Sequence, residues 1–305
     1  MTPVKALLNE TLPHMLKWHA AFDEQRNPVL ARFKHEPVVA RDVAKVLGQY
    51  SLLPATIVEF LKIGEVRLCE WQAVREELQR NIGEEMGSRT QGQTHYEILN
   101  TSANRELGLL LSGAVPTPDT DKFLNQIRQG LIGQPRSYAA GMVFALEASA
   151  IPELTVVAHV INKYAEVIGN VENPITLSEQ NWKNTQGPVS HYTLNSFFAA
   201  HLFDFEVGHK DRLADTLENY IQTSHEMAGF QNGFESVLCI MDHWWENLAT
   251  VICGTDRSLV TCVPTWVNQP TIRKLPDEIG SLTVTSRYAP PSTLLFSQAY
   301  NDSST

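Results

Sequence analysis

The stretch "RSYAAGMVFALEASAIPELTVVAHVINKYAEVIG", residues 136–169, decides the fold class. In its first half the apolar residues run round the whole helical circumference rather than along one stripe. That is the pattern of a helix enclosed by other helices. One carboxylate, Glu147, sits in the middle of this half among Ala, Phe, Leu and Ser. An unpaired carboxylate there costs on the order of a few kcal/mol or is held protonated. Taken alone, Glu147 reads most simply as a core residue satisfied by a Tyr, an Arg or a backbone group. A bound cation is the other way to satisfy it.

Helical spacing continues on both sides of this stretch. "TPVKALLNETLPHMLKWHAAF" and "RDVAKVLGQYSLL" carry apolar residues at three- and four-residue steps, and Pro54 restarts the pattern. Residues 54–85 read as a long amphipathic run bending at Gly64, with Gly87 as a stop. "NRELGLLLSGAV" reads as a further helix, and Thr120 as the N-cap of the next one. Residues 171–192 form a polar insert before "TLNSFFAAHLFDFEVGHKDRLADTLENYIQ", and a last helix ends near residue 252. After Cys253 the composition turns to Thr, Val, Ser and Pro with patches of strand-like alternation. The expectation is an all-α bundle over residues 1–252 and an irregular or β-containing extension over 253–305 that packs on it.

Composition removes several classes of function. The net charge of −10 over 305 residues argues against tracking of nucleic-acid phosphates. Four scattered cysteines without a CxxC pair suit a reduced protein rather than a disulfide framework or zinc ribbon. No uninterrupted apolar run of about 18 residues stands out as a membrane span, and the N-terminus makes a poor signal peptide. Cytoplasmic localisation is the expectation. The phosphate loop, the GxGxxG fingerprint, the GxSxG elbow and HExxH are all missing.

What remains is a set of acids and imidazoles within apolar helices. "NIGEEMG" ends one helix in Glu84 and Glu85, and His95 opens the next. "FFAAHLFDFEVGHKD" places His201, Asp204, Glu206 and His209 on one helix among phenylalanines. At 100° per residue, His201 and His209 lie about 80° apart, so they share a broad face. An ordinary polar face is the plain reading of each element. Together with Glu147 they make a mixed oxygen and nitrogen donor set that suits two iron or manganese ions in a helical bundle. Zinc favours four tight ligands, often with Cys, and fits less well.

At these residues the chain resembles the heme-oxygenase-like diiron oxidases and oxygenases, relatives of the TenA and PqqC helical folds. Their first motif, N-L-x-[DE]-E-x-G with a histidine about ten residues on, is matched by "NIGEEMG" and His95, which puts the ligand on Glu85 rather than Glu84. "FALEASAIP" matches the second and assigns Glu147. The third, H-x-x-x-D-x-x-H, departs: aligned from its end, Glu206 and His209 fill the last two places, and His201 is one residue too far back. A one-residue π-bulge would restore the face, with Asp204 as the alternative carboxylate. Glu59 is the nearest candidate for the extra glutamate that many members carry upstream.

The resemblance implies two irons per chain, cycling between Fe(II) and Fe(III), with O2 as co-substrate. It implies oxidation of an amino-acid-like substrate in specialised metabolism by N-oxygenation, desaturation or cleavage. Arg136, Lys163 and Arg212 are candidates to pair with a substrate carboxylate, against a plainer surface role for each. The alternatives are a metal-independent TenA- or PqqC-like enzyme, a fatty-acid-oxidising diiron enzyme and a non-catalytic helical binding protein. The expected partner is a small molecule, with neither nucleic acid nor membrane; a homodimer is compatible.

Overall fold

Helix ends in this protein are set by side-chain caps and glycines that the local sequence supplies. The structure, a computed structural model, describes residues 3–172, 174–180 and 192–252. Among them every regular element is helical. In chain order these are α1 (Pro3–Ala6), α2 (Leu12–Leu16), α3 (Pro28–His35), α4 (Ala40–Tyr50), α5 (Leu52–Arg67), α6 (Gln72–Glu85) and α7 (His95–Leu107). They continue as α8 (Pro118–Gly133), α9 (Arg136–Val167), α10 (Leu194–Ala200), α11 (Glu206–Leu217) and α12 (Ser224–Thr250). Two π-helical turns, Leu7–Thr11 and His201–Phe205, join α1 to α2 and α10 to α11. The described residues form an all-α bundle within the unit spanning residues 1–257. The expected extension over 253–305 lies outside the described residues.

The enclosed helix expected at 136–169 is α9, whose first half is buried on all sides. By length and composition it could cross a membrane, but it is mostly buried in the protein and serves as the core helix. Its closest neighbour is α12. A Cβ built on Gly141 would lie 1.9 Å from the Phe230 carbonyl oxygen, and one on Gly233 would lie 2.0 Å from that of Tyr138. The two backbones therefore touch, which only glycine permits there. Around this contact Phe230, Phe234, Trp244 and Trp245 are fully buried. Each such side chain stabilises the fold by about 2–3 kcal/mol.

Three sequence expectations are corrected. The turn in residues 54–85 falls at Leu68–Trp71, where Trp71 stacks on Tyr220, and not at Gly64. Gly64 stays helical because α5 packs on α9 there; a Cβ would lie 2.6 Å from Val143. Helix α8 starts earlier than Thr120: Thr117 caps it and Pro118 opens it, while the Thr120 hydroxyl accepts from the Trp244 indole. Helix α7 begins at His95 and ends at Gly108, whose left-handed φ of 62° terminates it, so "LGLLLSGAV" is mostly non-helical. Gly87 stops α6 as expected, with φ of 95°.

Candidate metal centre

Four chain segments deliver the candidate side chains to one place. Glu84 and Glu85 are the last residues of α6. The turn at Gly87 and the capping box of Thr94 and Glu97 then start α7 with His95 as its first residue. His95 thereby comes back onto Glu85, with Nδ1 3.1 Å from Oε1. Helix α9 brings Glu147, and the π-turn with the first turn of α11 brings His201, Glu206 and His209.

The π-helical turn at His201–Phe205 absorbs the one residue by which the chain exceeds the spacing of the third motif. It carries His201 onto the face of Glu206 and His209. The rings of His95 and His201 meet edge to face at 4.5 Å, and Phe205 stacks on His95. His201 Nδ1–H donates to the Phe197 carbonyl at 2.7 Å. Burial, with the His95 imidazole alongside, holds the His201 pKa down at about 3. A neutral ring that donates through Nδ1 has its lone pair on Nε2. That nitrogen and His95 Nε2 are both buried without a hydrogen-bond partner among the described residues.

His209 is the hub. Its Nδ1 lies 3.2 Å from Glu147 and 3.7 Å from Glu206, and its Nε2 lies 3.1 Å from Glu84. Burial opposes a charge on this ring, but Glu147, Glu206 and Glu84 outweigh it and raise the pKa far above the usual range. Burial raises the Glu206 carboxyl, with Glu85 and Glu147 adding to the shift against His209. At Glu85 burial also opposes ionisation, yet His95, His201 and His209 pull it down to about 2. Acceptor atoms of Glu85, Glu206 and His209 all lie within 4.8 Å of one another. Without a cation, a proton on His209 holds these carboxylates together; a metal ion at the same point would displace it.

The six residues Glu85, His95, Glu147, His201, Glu206 and His209 are thus brought into one buried cluster. Asp204 is not: it faces Arg89 at 2.6 Å and is partly exposed, whereas Glu206 is buried beside His209. Glu59 is half exposed and ion-paired with Arg128 at 2.6 Å, so its acceptors are engaged at the surface. Of the proposed substrate cations, Arg136 pairs with Glu70 and Lys163 with Glu166. Arg212 pairs with Glu77 at 2.6 Å and reaches Glu84 at 3.4 Å.

Sequence reasoning missed a supporting layer. Glu84 accepts from His209, Arg212 and Arg89, and His209 with the two guanidinium groups lowers its pKa against the effect of burial. Asn81 donates to Glu147 at 3.2 Å. Val74, Glu77, Leu78, Asn81 and Glu84 are all buried. Their three- and four-residue steps mark the inward face of α6, a signal legible in the sequence. Glu153, buried on α9, was missed as well.

The donor chemistry of Glu85, Glu206 and His209 could hold a first-row metal ion. Carboxylates and imidazoles are present, thiols are absent from the cluster, and two buried imidazole nitrogens have no hydrogen-bond partner among the described residues. Glu84 would hold His209 from behind, as carboxylates commonly do for ligating histidines.

A crystal structure of a CADD-like protein of unknown function from Nostoc punctiforme PCC 73102 resembles this chain with a TM-score of 0.69 and 29% identity. The match covers 81% of this chain and 97% of that one. A second crystal structure of that protein gives a TM-score of 0.66 at 28% identity, over 80% and 93% of the two chains. No curated protein matches. Residues 5–251 match the family described as "Domain of Unknown Function with solved-structure structure (DUF3865)", and the chain belongs to that family.

Proposed function

We propose that this protein is a nonheme diiron oxidase or oxygenase that uses O2 to oxidise a small amino-acid-like substrate in the cytoplasm. The observation that carries the reading is the pair of buried, unpartnered imidazole nitrogens, His95 Nε2 and His201 Nε2, in a cluster with Glu85, Glu147, Glu206 and His209. The sequence motifs shared with heme-oxygenase-like diiron enzymes support it. Exposed free thiols at Cys69 and Cys239 suit a reducing compartment.

Two bound irons would supply the electrons that activate O2 for N-oxygenation, desaturation or C–C cleavage. Glu85, Glu147 and Glu206 would balance the positive charge, and carboxylates favour the higher oxidation state. His95 and His201 would bind through Nε2, because their Nδ1 atoms already face Glu85 and the Phe197 carbonyl. His209 would bind through Nδ1 and keep its Nε2–H on Glu84, giving up one proton as the metal enters. Phe197, Phe198, Leu202 and Phe205 are buried around the histidines and keep water from the reacting atoms.

Anaerobic loading with Fe(II) tests this reading. The protein should take up about two irons per chain and show a transient visible absorption on mixing with O2. Alanine at Glu85, His95 or Glu147 should abolish stoichiometric loading with helical content intact. Full iron content in Glu147→Ala, or turnover without metal, would overturn it.

A further inference from the structure

Buried polar side-chain atoms outside the hydrogen-bond network fall into two groups. The Trp245 indole stands against the Glu153 carboxyl, and Arg67 lies at the end of α5, where its Nη2 donates to the Gln134 carbonyl. The other three among the described residues, Asn81 Oδ1, His95 Nε2 and His201 Nε2, all lie at the carboxylate and histidine cluster. Asn81 is fully buried on α6 and opens the "NIGEEMG" stretch that carries Glu84 and Glu85. Its Nδ2 donates to Glu147 Oε1 at 3.2 Å. Turning the amide over would set one acceptor against another, so the nitrogen belongs on Glu147 and the oxygen is left over. An amide oxygen only accepts. Buried, it calls for a donor or a cation, and its hydrogen bond through nitrogen gives the oxygen no use. From the dimensions of an amide, Oδ1 lies no more than about 5.5 Å from Glu147 Oε1. Glu85 follows Asn81 one helical turn later, about 6 Å along the axis.

We propose that Asn81 Oδ1 is a further donor to a metal ion in this cluster, an uncharged oxygen among the carboxylates. The inference rests on the diiron reading. Carbonyl oxygens are ordinary ligands of divalent cations. With its N–H kept on Oε1, Asn81 would leave Glu147 to meet the ion through Oε2, the oxygen that faces His209. One end of the amide would then hold Glu147 in place while the other touches the ion. Being uncharged, the amide adds a donor without adding to the repulsion among Glu85, Glu147 and Glu206.

Cobalt(II) titration of the full-length, metal-free protein tests this, with circular dichroism to check the fold of each variant. Asn81→Cys puts a thiol where the amide oxygen stands. Its cobalt complex should gain a sulfur-to-cobalt charge-transfer absorption in the near ultraviolet, over the spectrum of cobalt-loaded wild type. Asn81→Leu, which loses both ends of the amide, should bind cobalt at least about tenfold more weakly. Asn81→Asp keeps the oxygen and gives up the N–H, and should bind at least as tightly as the wild type. A cobalt-loaded Asn81→Cys without the new absorption would overturn the proposal and leave the diiron reading standing. So would an Asn81→Asp as weak as Asn81→Leu, a comparison that holds even where Asn81→Cys does not fold. A wild type that takes up no cobalt or iron would remove the diiron reading and this inference with it.

Discussion

Replacing Glu153 by Gln should stabilise the ligand-free protein at neutral pH, by an amount that grows with pH. Its carboxyl has an ordinary pKa of 4.5, raised to about 8 in the folded chain by burial and by Glu206. Between those values the unfolded chain has given up the proton while the folded chain keeps it. The folded state then binds more protons, so stability falls as pH rises, by about 1.4 kcal/mol per unit. Above the folded value the loss levels off; below 4.5 it vanishes. Gln has no such titration. From about pH 5 to about pH 7.5 the variant should gain roughly 3 kcal/mol on the wild type, against a total stability of about 5–15 kcal/mol. The new buried amide costs about 1 kcal/mol at every pH, so the slope isolates the carboxyl. Urea unfolding of metal-free protein across this range reads it directly. Parallel pH profiles for the two proteins would refute the assignment of a buried, proton-holding acid at Glu153.

Glu84→Ala should weaken iron binding by about 10- to 100-fold, the usual effect of losing the group behind a ligating histidine; equilibrium iron titration would show whether Glu84 is idle instead. Deleting Phe203 should turn the π-turn into regular helix and bring His201, Glu206 and His209 to the i, i+4, i+7 spacing of the third motif, on one face. Iron content should then stay close to that of the wild type, and loss of loading would mean that the π-turn does not simply absorb one extra residue. Gly141→Ala should destabilise the protein by at least about 2–3 kcal/mol in chemical denaturation, because its Cβ would press on the Phe230 carbonyl from 1.9 Å.

The supporting layer changes how Glu84 is read. Motif register alone sets Glu85 as the ligand and leaves its neighbour spare. In the fold, adjacent residues of α6 point to different partners, Glu85 to His95 and Glu84 to His209. Each therefore has an imidazole partner of its own.

Much of this was determined by the sequence itself. The all-round apolarity of 136–169 requires an enclosed helix, and three- and four-residue spacing elsewhere requires helices to enclose it. Local chemistry stops α6 at Gly87 and opens α7 at Thr94, which already returns His95 toward Glu85. Even the odd spacing of His201 and His209 calls for a turn that absorbs one extra residue. The partners of Asp204, Glu59 and Glu84 had no local signal, although the inward face of α6 did. Each depends on which residue of another helix stands opposite: Arg89 for Asp204, Arg128 for Glu59, His209 for Glu84. Helical periodicity ranks the faces of one element but carries no information on the rotation or height of its neighbours. Those are set by long-range packing such as the backbone contact at Gly141 and Gly233, and so only the tertiary structure decides them.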